Sequence, residues 1–208
     1  MDLQLSGKTA FVSGSTGGIG YAIADVLAAE GARVIVNGRG EQRVADAVDR
    51  LRGAHPTGDI SGIAADVADA AAVDDLIDRV GEVDVLINNV GLFGLGAFES
   101  IDDIQWQHYL DVNVMSGVRL SRALLPGMLD RGWGRIVFIS SESGVSVPAD
   151  MVHYGVTKAA MLALSNGLAK RTRGTAVTVN TVLGGPTYSD GVASAIEQIA
   201  RSQRAPVD

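Results

Sequence analysis

Tyr154 and Lys158 are four residues apart in a stretch with a helical pattern, so a helix would bring both to one face. The chemistry open to such a pair is proton transfer. A free phenol titrates at about 10 and is a poor base at neutral pH. An ammonium about 4 Å away contributes about 4 kcal/mol at an effective dielectric of about 20. At about 1.36 kcal/mol per pH unit, that lowers the phenol by up to about three units, toward neutrality. Taken alone, the pair is better read as a surface tyrosine beside a solvated lysine, because the spacing is common.

A second segment with chemical potential is Ser13-Gly14-Ser15-Thr16-Gly17-Gly18-Ile19-Gly20, between an apolar run and a helical pattern. Glycines there let the backbone turn sharply and approach a pyrophosphate, and the helix N-terminus offers unpaired N–H groups with partial positive charge. This predicts a dinucleotide site. About 20 residues further on, NAD sites place a carboxylate on the ribose hydroxyls. This chain has Asn37-Gly38-Arg39 instead. No carboxylate repels a 2′-phosphate there, and Arg39 can pair with one through its planar fork. NADP is therefore expected ahead of NAD; the competing reading makes Gly38 a simple turn and Arg39 a solvated residue. Asp66 follows the third predicted strand, where it either contacts an adenine or caps the next helix. The amides of Asn88-Asn89-Val90-Gly91 either tie strand ends together or hold a cofactor ribose.

Those residues need a scaffold. Strands are predicted at Thr9–Ser13, Arg33–Asn37, Ile60–Ala65, Asp84–Asn88, Arg135–Ser140 and Val177–Val182. Between them fall helices at Ile19–Glu30 (ending at Gly31), Gln42–Arg52, Ala70–Val80 and Val152–Thr172. A long helical stretch, Ile104–Arg131, carries Gly and Pro interruptions. Alternating strands and helices imply βαβ units in a parallel sheet covered on both faces, a doubly wound α/β sandwich of three layers. The runs Ala10-Phe11-Val12, Val34-Ile35-Val36, Val85-Leu86-Ile87 and Ile136-Val137-Phe138-Ile139 are nearly all apolar, as strands buried on both sides are. With no repeat or linker, the 208 residues are expected to form one domain.

Composition narrows the partners. With 24 acidic and 17 basic residues the net charge is −7, which disfavours nucleic acid and anionic membranes. The chain has no cysteine, which removes disulfides, thiolate metal sites and a cysteine nucleophile. His55, His108 and His153 are scattered, so no metal site is expected. No apolar run has membrane-spanning length and no signal-peptide core precedes Lys8, so the expected location is the cytoplasm. Trp106 and Trp133 are expected to pack, His153 more often to pack than to line a pocket, and Asp74, Asp75 and Asp78 to form a solvated helix face.

The order of motifs changes the weight of the tyrosine–lysine pair. The glycine turn, Asn88-Asn89-Val90-Gly91, Ser141 after the fifth strand and Tyr154-x-x-x-Lys158 together resemble the short-chain dehydrogenase/reductase family over nearly the whole chain. The resemblance implies hydride transfer between NADP(H) and a small-molecule ketone or secondary alcohol. It assigns Tyr154 as the general acid/base and Lys158 as the group that lowers its pKa and contacts the nicotinamide ribose. Ser141, with Ser140 as the neighbouring candidate, would hydrogen-bond the substrate oxygen, and Asn113 would support a proton-relay water. Gly14, Ser15, Thr16, Gly18, Ile19 and Gly20 would hold the cofactor, with Arg39 at the 2′-phosphate. Asp66 and Val67 would lie at the adenine, Asn89 at a ribose, and Thr187 and Ser189 at the carboxamide and phosphates. The helices over Ile104–Arg131 and Val152–Thr172 would pair subunits into a homodimer or homotetramer.

Two departures from the family pattern stand out. Gly184 replaces the proline of the usual Pro-Gly, which would loosen the loop after the sixth strand. The chain also stops at Asp208, where family members continue through a further helix and a seventh strand, so a truncated or processed chain is expected. The alternative that this leaves open is a non-catalytic dinucleotide-binding scaffold of the same fold.

Overall fold

The computed structural model describes residues 2–185 and residue 187. The apolar runs form the parallel strands β1 (Thr9–Val12), β2 (Arg33–Gly38), β3 (Ile60–Ala64), β4 (Val85–Asn88), β5 (Gly134–Ser141) and β6 (Val177–Gly184). They lie in the order β3-β2-β1-β4-β5-β6. The helices are α1 (Gly18–Ala29), α2 (Glu41–Ala54), α3 (Ala70–Val80), α4 (Asp103–Leu110), α5 (Ser116–Asp130) and α6 (Val152–Arg171). This is the doubly wound α/β fold expected from the strand–helix alternation.

Side chains alternate across the sheet and divide the core in two. Phe11, Ile35, Leu86, Ile136 and Phe138 pack with Leu76 of α3, Leu120 and Met128 of α5 and Met161 of α6. Ala10, Val12, Val34, Val36, Val85 and Ile87 pack on the other face with Ala24 and Leu27 of α1 and Val44, Ala47 and Leu51 of α2. Fully burying such an aliphatic or aromatic side chain stabilises the fold by about 1.5–3 kcal/mol. Both faces being dry at β1, β2 and β4 explains why these strands read as unbroken apolar runs.

The chain winds outward in one direction from β1 through β3 and in the other from β4 through β6. The crevice outside the carboxyl ends of β1 and β4 is where sheets of this order take ligands. The Gly14 turn follows β1 and Asn89 follows β4, so both reach that crevice.

One expectation is corrected. The long helical stretch does not break at its Gly and Pro residues; Pro126 lies inside α5. It is interrupted instead by a π-helical turn, Asp111–Met115, which widens the backbone around Asn113. The ladder of β6 with β5 continues to the pair Ser141–Gly184, and the loop after it, where loosening was expected, lies mostly outside the described residues.

Candidate active site

The glycine turn is shaped by close approach. Gly14 has φ +62, and a Cβ on it would come within 2.9 Å of Val90. A Cβ on Gly20 would meet the Gly14 carbonyl at 2.5 Å and collide with the Asn89 side chain. The N-terminus of α1 begins after Gly17 with no side-chain cap, so its N–H groups are not taken up by a capping hydroxyl or carboxylate. Gly18 and Ile19 are exposed at this end. The charge and donors of a helix N-terminus suit an anion.

Around this end lies a cleft of about 280 Å³, lined by residues that include Gly14, Thr16, Arg39, Arg43, Asp66 and Asn89. Val67, Val90 and Gly91 also line it. Among the described residues neither Arg39 nor Arg43 has a carboxylate partner within 4.0 Å. The cleft is therefore cationic at its β2–α2 rim although the chain is acidic. Its glycine cradle, uncapped helix end and paired guanidiniums fit a phosphorylated dinucleotide. Asp66 does not cap α3; Asp69 does, accepting from the Ala71 N–H at 2.9 Å, while Asp66 accepts from the Ala68 N–H at 3.0 Å.

Ser15 turns away from the cleft. Its hydroxyl donates to the Val12 carbonyl at 2.6 Å and accepts from Asn37, and its N–H donates to the Asn37 carbonyl. It is fully buried, turned inward as a brace of the turn, and offers the cleft no donor. Asn89 ties strand ends together, its Nδ2 donating to the carbonyls of Ser13 and Gly14 at 3.0 and 2.9 Å, and it also lines the cleft. Thr187 is exposed, its hydroxyl donating to the Gly185 carbonyl at 3.0 Å. Ser189 lies outside the described residues.

β5 and α6 bring the candidate chemistry together. Strand alternation separates the two serines. Ser140 is buried and donates to the Lys158 carbonyl at 3.0 Å, whereas Ser141 Oγ accepts from the Ser143 N–H at 3.2 Å and lies close enough to Tyr154 to pull its phenol pKa down. Lys158 is 5% exposed, and its Nζ donates to the Ile139 carbonyl at 3.0 Å. Burial holds this ammonium's pKa down to about 8. The expected action of Lys158 on the phenol has no counterpart among the interactions that shift Tyr154. Nζ lies 5.5 Å from the Tyr154 ring centroid and is directed to a backbone carbonyl. Burial pushes the Tyr154 pKa up, against a smaller downward pull from Ser141.

Asn113 is buried on the π turn. Its Oδ1 accepts from the Leu92 N–H at 2.7 Å, and Nδ2 donates to the Leu92 carbonyl and to Thr157 Oγ1, both at 2.9 Å. Its amide thus clamps the loop after β4 to α6. A Cβ on Gly91 would lie 3.3 Å from Lys158 Nζ and 3.5 Å from Asn113 Oδ1. Gly91 lines the cleft, so this is where the cleft meets the Ser141–Tyr154–Lys158 group.

Sequence reasoning missed two contributors. Arg43 lies four residues beyond Arg39, a spacing that could have signalled a second guanidinium at the same rim. Asn37 was noted only for not being a carboxylate. It is buried, with Nδ2 donating to the carbonyls of Ile63 and Ala65 and Oδ1 accepting from the Gly14 N–H at 3.3 Å. His153 is 1% exposed and packs edge-on against Tyr109, with ring centroids 4.2 Å apart. Trp106 packs on the same ring, and Trp133 is sandwiched by Lys8 and Arg135. Among the described residues no three His, Asp or Glu side chains converge, and no helix is long and apolar enough to cross a membrane.

Comparison with known proteins agrees with this geometry. YvrD, an uncharacterized oxidoreductase of Bacillus subtilis (strain 168), is 45% identical over 97% of this chain and 77% of its own. D-beta-hydroxybutyrate dehydrogenase of Cupriavidus necator is 34% identical over 99% of this chain and 80% of its own. The crystal structure of L-sorbose reductase from Gluconobacter frateurii, complexed with NADPH and L-sorbose, superposes with a TM-score of 0.91. It is 33% identical over 97% of this chain and 78% of that one. The short chain dehydrogenase family profile matches residues 8–200, and the chain belongs to this family of NAD(P)-dependent oxidoreductases.

Proposed function

We propose that the protein transfers a hydride between NADP(H) and a small-molecule ketone or secondary alcohol, with Ser141, Tyr154, Lys158 and Asn113 as its catalytic set. The observation that carries this reading is Lys158, whose buried Nζ stands between cleft-lining Gly91 and the Tyr154 ring. When bound, the dinucleotide supplies or accepts the hydride. The protein's share is orientation and proton transfer.

A phenol pushed up by burial stays protonated at neutral pH, so Tyr154 is set to donate a proton to a carbonyl oxygen. Ser141 hydrogen-bonds the same oxygen. Lys158 would contact the ribose on the cleft side, and Asn113, its amide committed to Leu92 and Thr157, would support a water through its remaining acceptors. The backbone of Gly14, Thr16, Gly18 and Ile19, with Gly20 allowing the close turn, would hold the pyrophosphate. Arg39 and Arg43 would take the 2′-phosphate, Asp66 and Val67 the adenine, and Asn89 a ribose. Thr187 would reach the carboxamide. The NADPH complex of the similar L-sorbose reductase supports this cofactor choice.

The same reading makes the chain a single catalytic domain of the cytoplasm, assembled as a homodimer or homotetramer through the α4–α5 and α6 faces. The test is NADPH binding followed by ketone-dependent NADPH oxidation, for the native protein and Tyr154→Phe. Turnover that Tyr154→Phe abolishes without loss of NADPH binding is expected. Tight binding with no turnover over a broad carbonyl panel would favour a non-catalytic scaffold.

A further inference from the structure

Charge is sorted along the site. Its cations stand at the β2–α2 rim, where Arg39 and Arg43 line the cleft. The opposite end is built from the loop after β4 and the loop between β5 and α6. From Gly91 to Val118 and from Ile136 to Thr157 the sequence has no lysine or arginine. These stretches do carry Glu99, Glu142 and Asp150. Glu142 directly follows Ser141 and leans toward the end of β6, its Oε2 3.6 Å from where a Cβ of Gly185 would lie. Lys158, the nearest ammonium, is 5% exposed and turned to the Ile139 carbonyl.

Much of the remaining surface of these two loops is apolar, although Ser100, Asp102 and Ser146 are also exposed there. Phe93 stands edge-on to Tyr154 at 6.4 Å between centroids and is 41% exposed. Val147 packs on the first turn of α6, where a Cβ on Gly155, the residue after Tyr154, would come within 2.5 Å of it. Leu95 and Val145 are exposed on the same two loops. A hydrogen bond of 2.8 Å from the Gly96 N–H to the Asp150 carbonyl joins the loops, so these side chains belong to one wall.

We infer that the substrate end is selective for uncharged ketones and alcohols with apolar flanks, and discriminates against carboxylate or phosphate groups beside the reacting carbon. This rests on the hydride-transfer reading above. An anion that enters between the loops leaves water and meets apolar carbon and the Glu142 carboxylate, with no lysine or arginine on either loop to offset its desolvation. A neutral ester or alkyl ketone gives up only apolar contact with water, which favours its entry.

The test compares kcat/KM for NADPH-dependent reduction of matched pairs, each a 3-keto ester and its free keto acid, over several chain lengths. The ester should lead the acid by about tenfold or more, and Glu142→Lys should shrink that lead by about tenfold. Acids that equal or beat their esters overturn the selectivity while leaving hydride transfer standing. A lead that Glu142→Lys does not move removes its electrostatic basis and overturns it as well. If NADPH binds but neither member of any pair is reduced, the hydride-transfer reading fails and takes this inference with it.

Discussion

Replacing Lys158 by Met should inactivate the protein and make it more stable at neutral pH. Lys158 is 5% exposed and its pKa is held down from 10.5 to about 8 by burial. At about 1.36 kcal/mol per pH unit, the difference amounts to about 3 kcal/mol of native-state cost whenever both states are protonated. The bond to the Ile139 carbonyl offsets about 1 kcal/mol of what the methionine gains. A net gain of about 2 kcal/mol remains, or about 4–8 °C in Tm for a chain of this size. The sign follows from proton counting. Between about pH 8 and 10.5 the unfolded lysine holds a proton that the folded one has lost, so native stability rises with pH there. The advantage of Lys158→Met is thus full below about pH 8 and gone by about 10.5. Urea unfolding of the ligand-free protein and the variant across this range measures it. A variant less stable than the native protein at pH 7, or an advantage that stays constant to pH 10.5, would refute the argument.

The same geometry carries four further expectations. Tyr154→Phe should remove one phenolate from the ultraviolet pH titration, and the missing transition should lie above 10, the direction burial sets; one near neutrality would contradict it. Arg39→Asp and Arg43→Gln should each weaken NADPH by about tenfold while sparing NADH, since each removes one charge-assisted partner of a 2′-phosphate; equal loss for both cofactors, read by fluorescence titration, would rule out phosphate recognition. Asn37→Ala should cost about 2–3 kcal/mol in urea unfolding, because two buried carbonyls and the Gly14 N–H lose their partner together. His153→Leu should leave stability at pH 7 equal or higher, as neither ring nitrogen has a hydrogen-bond partner. Burial lowers the His153 pKa, so the unfolded state binds the extra proton below about 6.5 and native stability falls with acid. The variant should flatten that acid limb, and an unchanged limb would refute the assignment.

The sheet was legible because its central strands β1, β2 and β4 are buried on both faces, which leaves an unbroken apolar run such as Val34–Val36. Its parallel, doubly wound arrangement followed from the βαβ alternation. Tyr154 and Lys158 were legible only jointly with the glycine turn and Ser141. What escaped the sequence was set by local geometry. A π turn differs from an α turn by one hydrogen-bond step, and Asp111-Val112-Asn113-Val114-Met115 has no residue that forces it. Ser15 occupies a turn position, and only the fold shows that Val12 and Asn37 claim its hydroxyl. The position of the Lys158 ammonium escaped for a similar reason: helical spacing fixes the shared face, but the Ile139 carbonyl decides where the ammonium settles.

Those departures are not scattered. The widened turn at Asn113, the buried charge of Lys158 and the missing side chain of Gly91 meet within about one side chain's reach of a single point, the Cβ position of Gly91. Each carries its own cost: an irregular helix, a desolvated ammonium and a backbone with extra freedom to lose. Packing alone would have replaced all three with an α turn, a methionine and an alanine. Asn113 instead spends both amide hydrogens and Oδ1 fastening Leu92 and Thr157, so the loop after β4 and helix α6 are held at a fixed separation around that point. Local rules broken together at one place, with the sheet behind it regular, mark the place where function was built in. The clamp also gives Asn113 a measurable positioning role. Asn113→Ala should raise KM for NADPH along with lowering kcat, because the cleft-lining Leu92 moves with it; loss of kcat alone would confine Asn113 to the proton path.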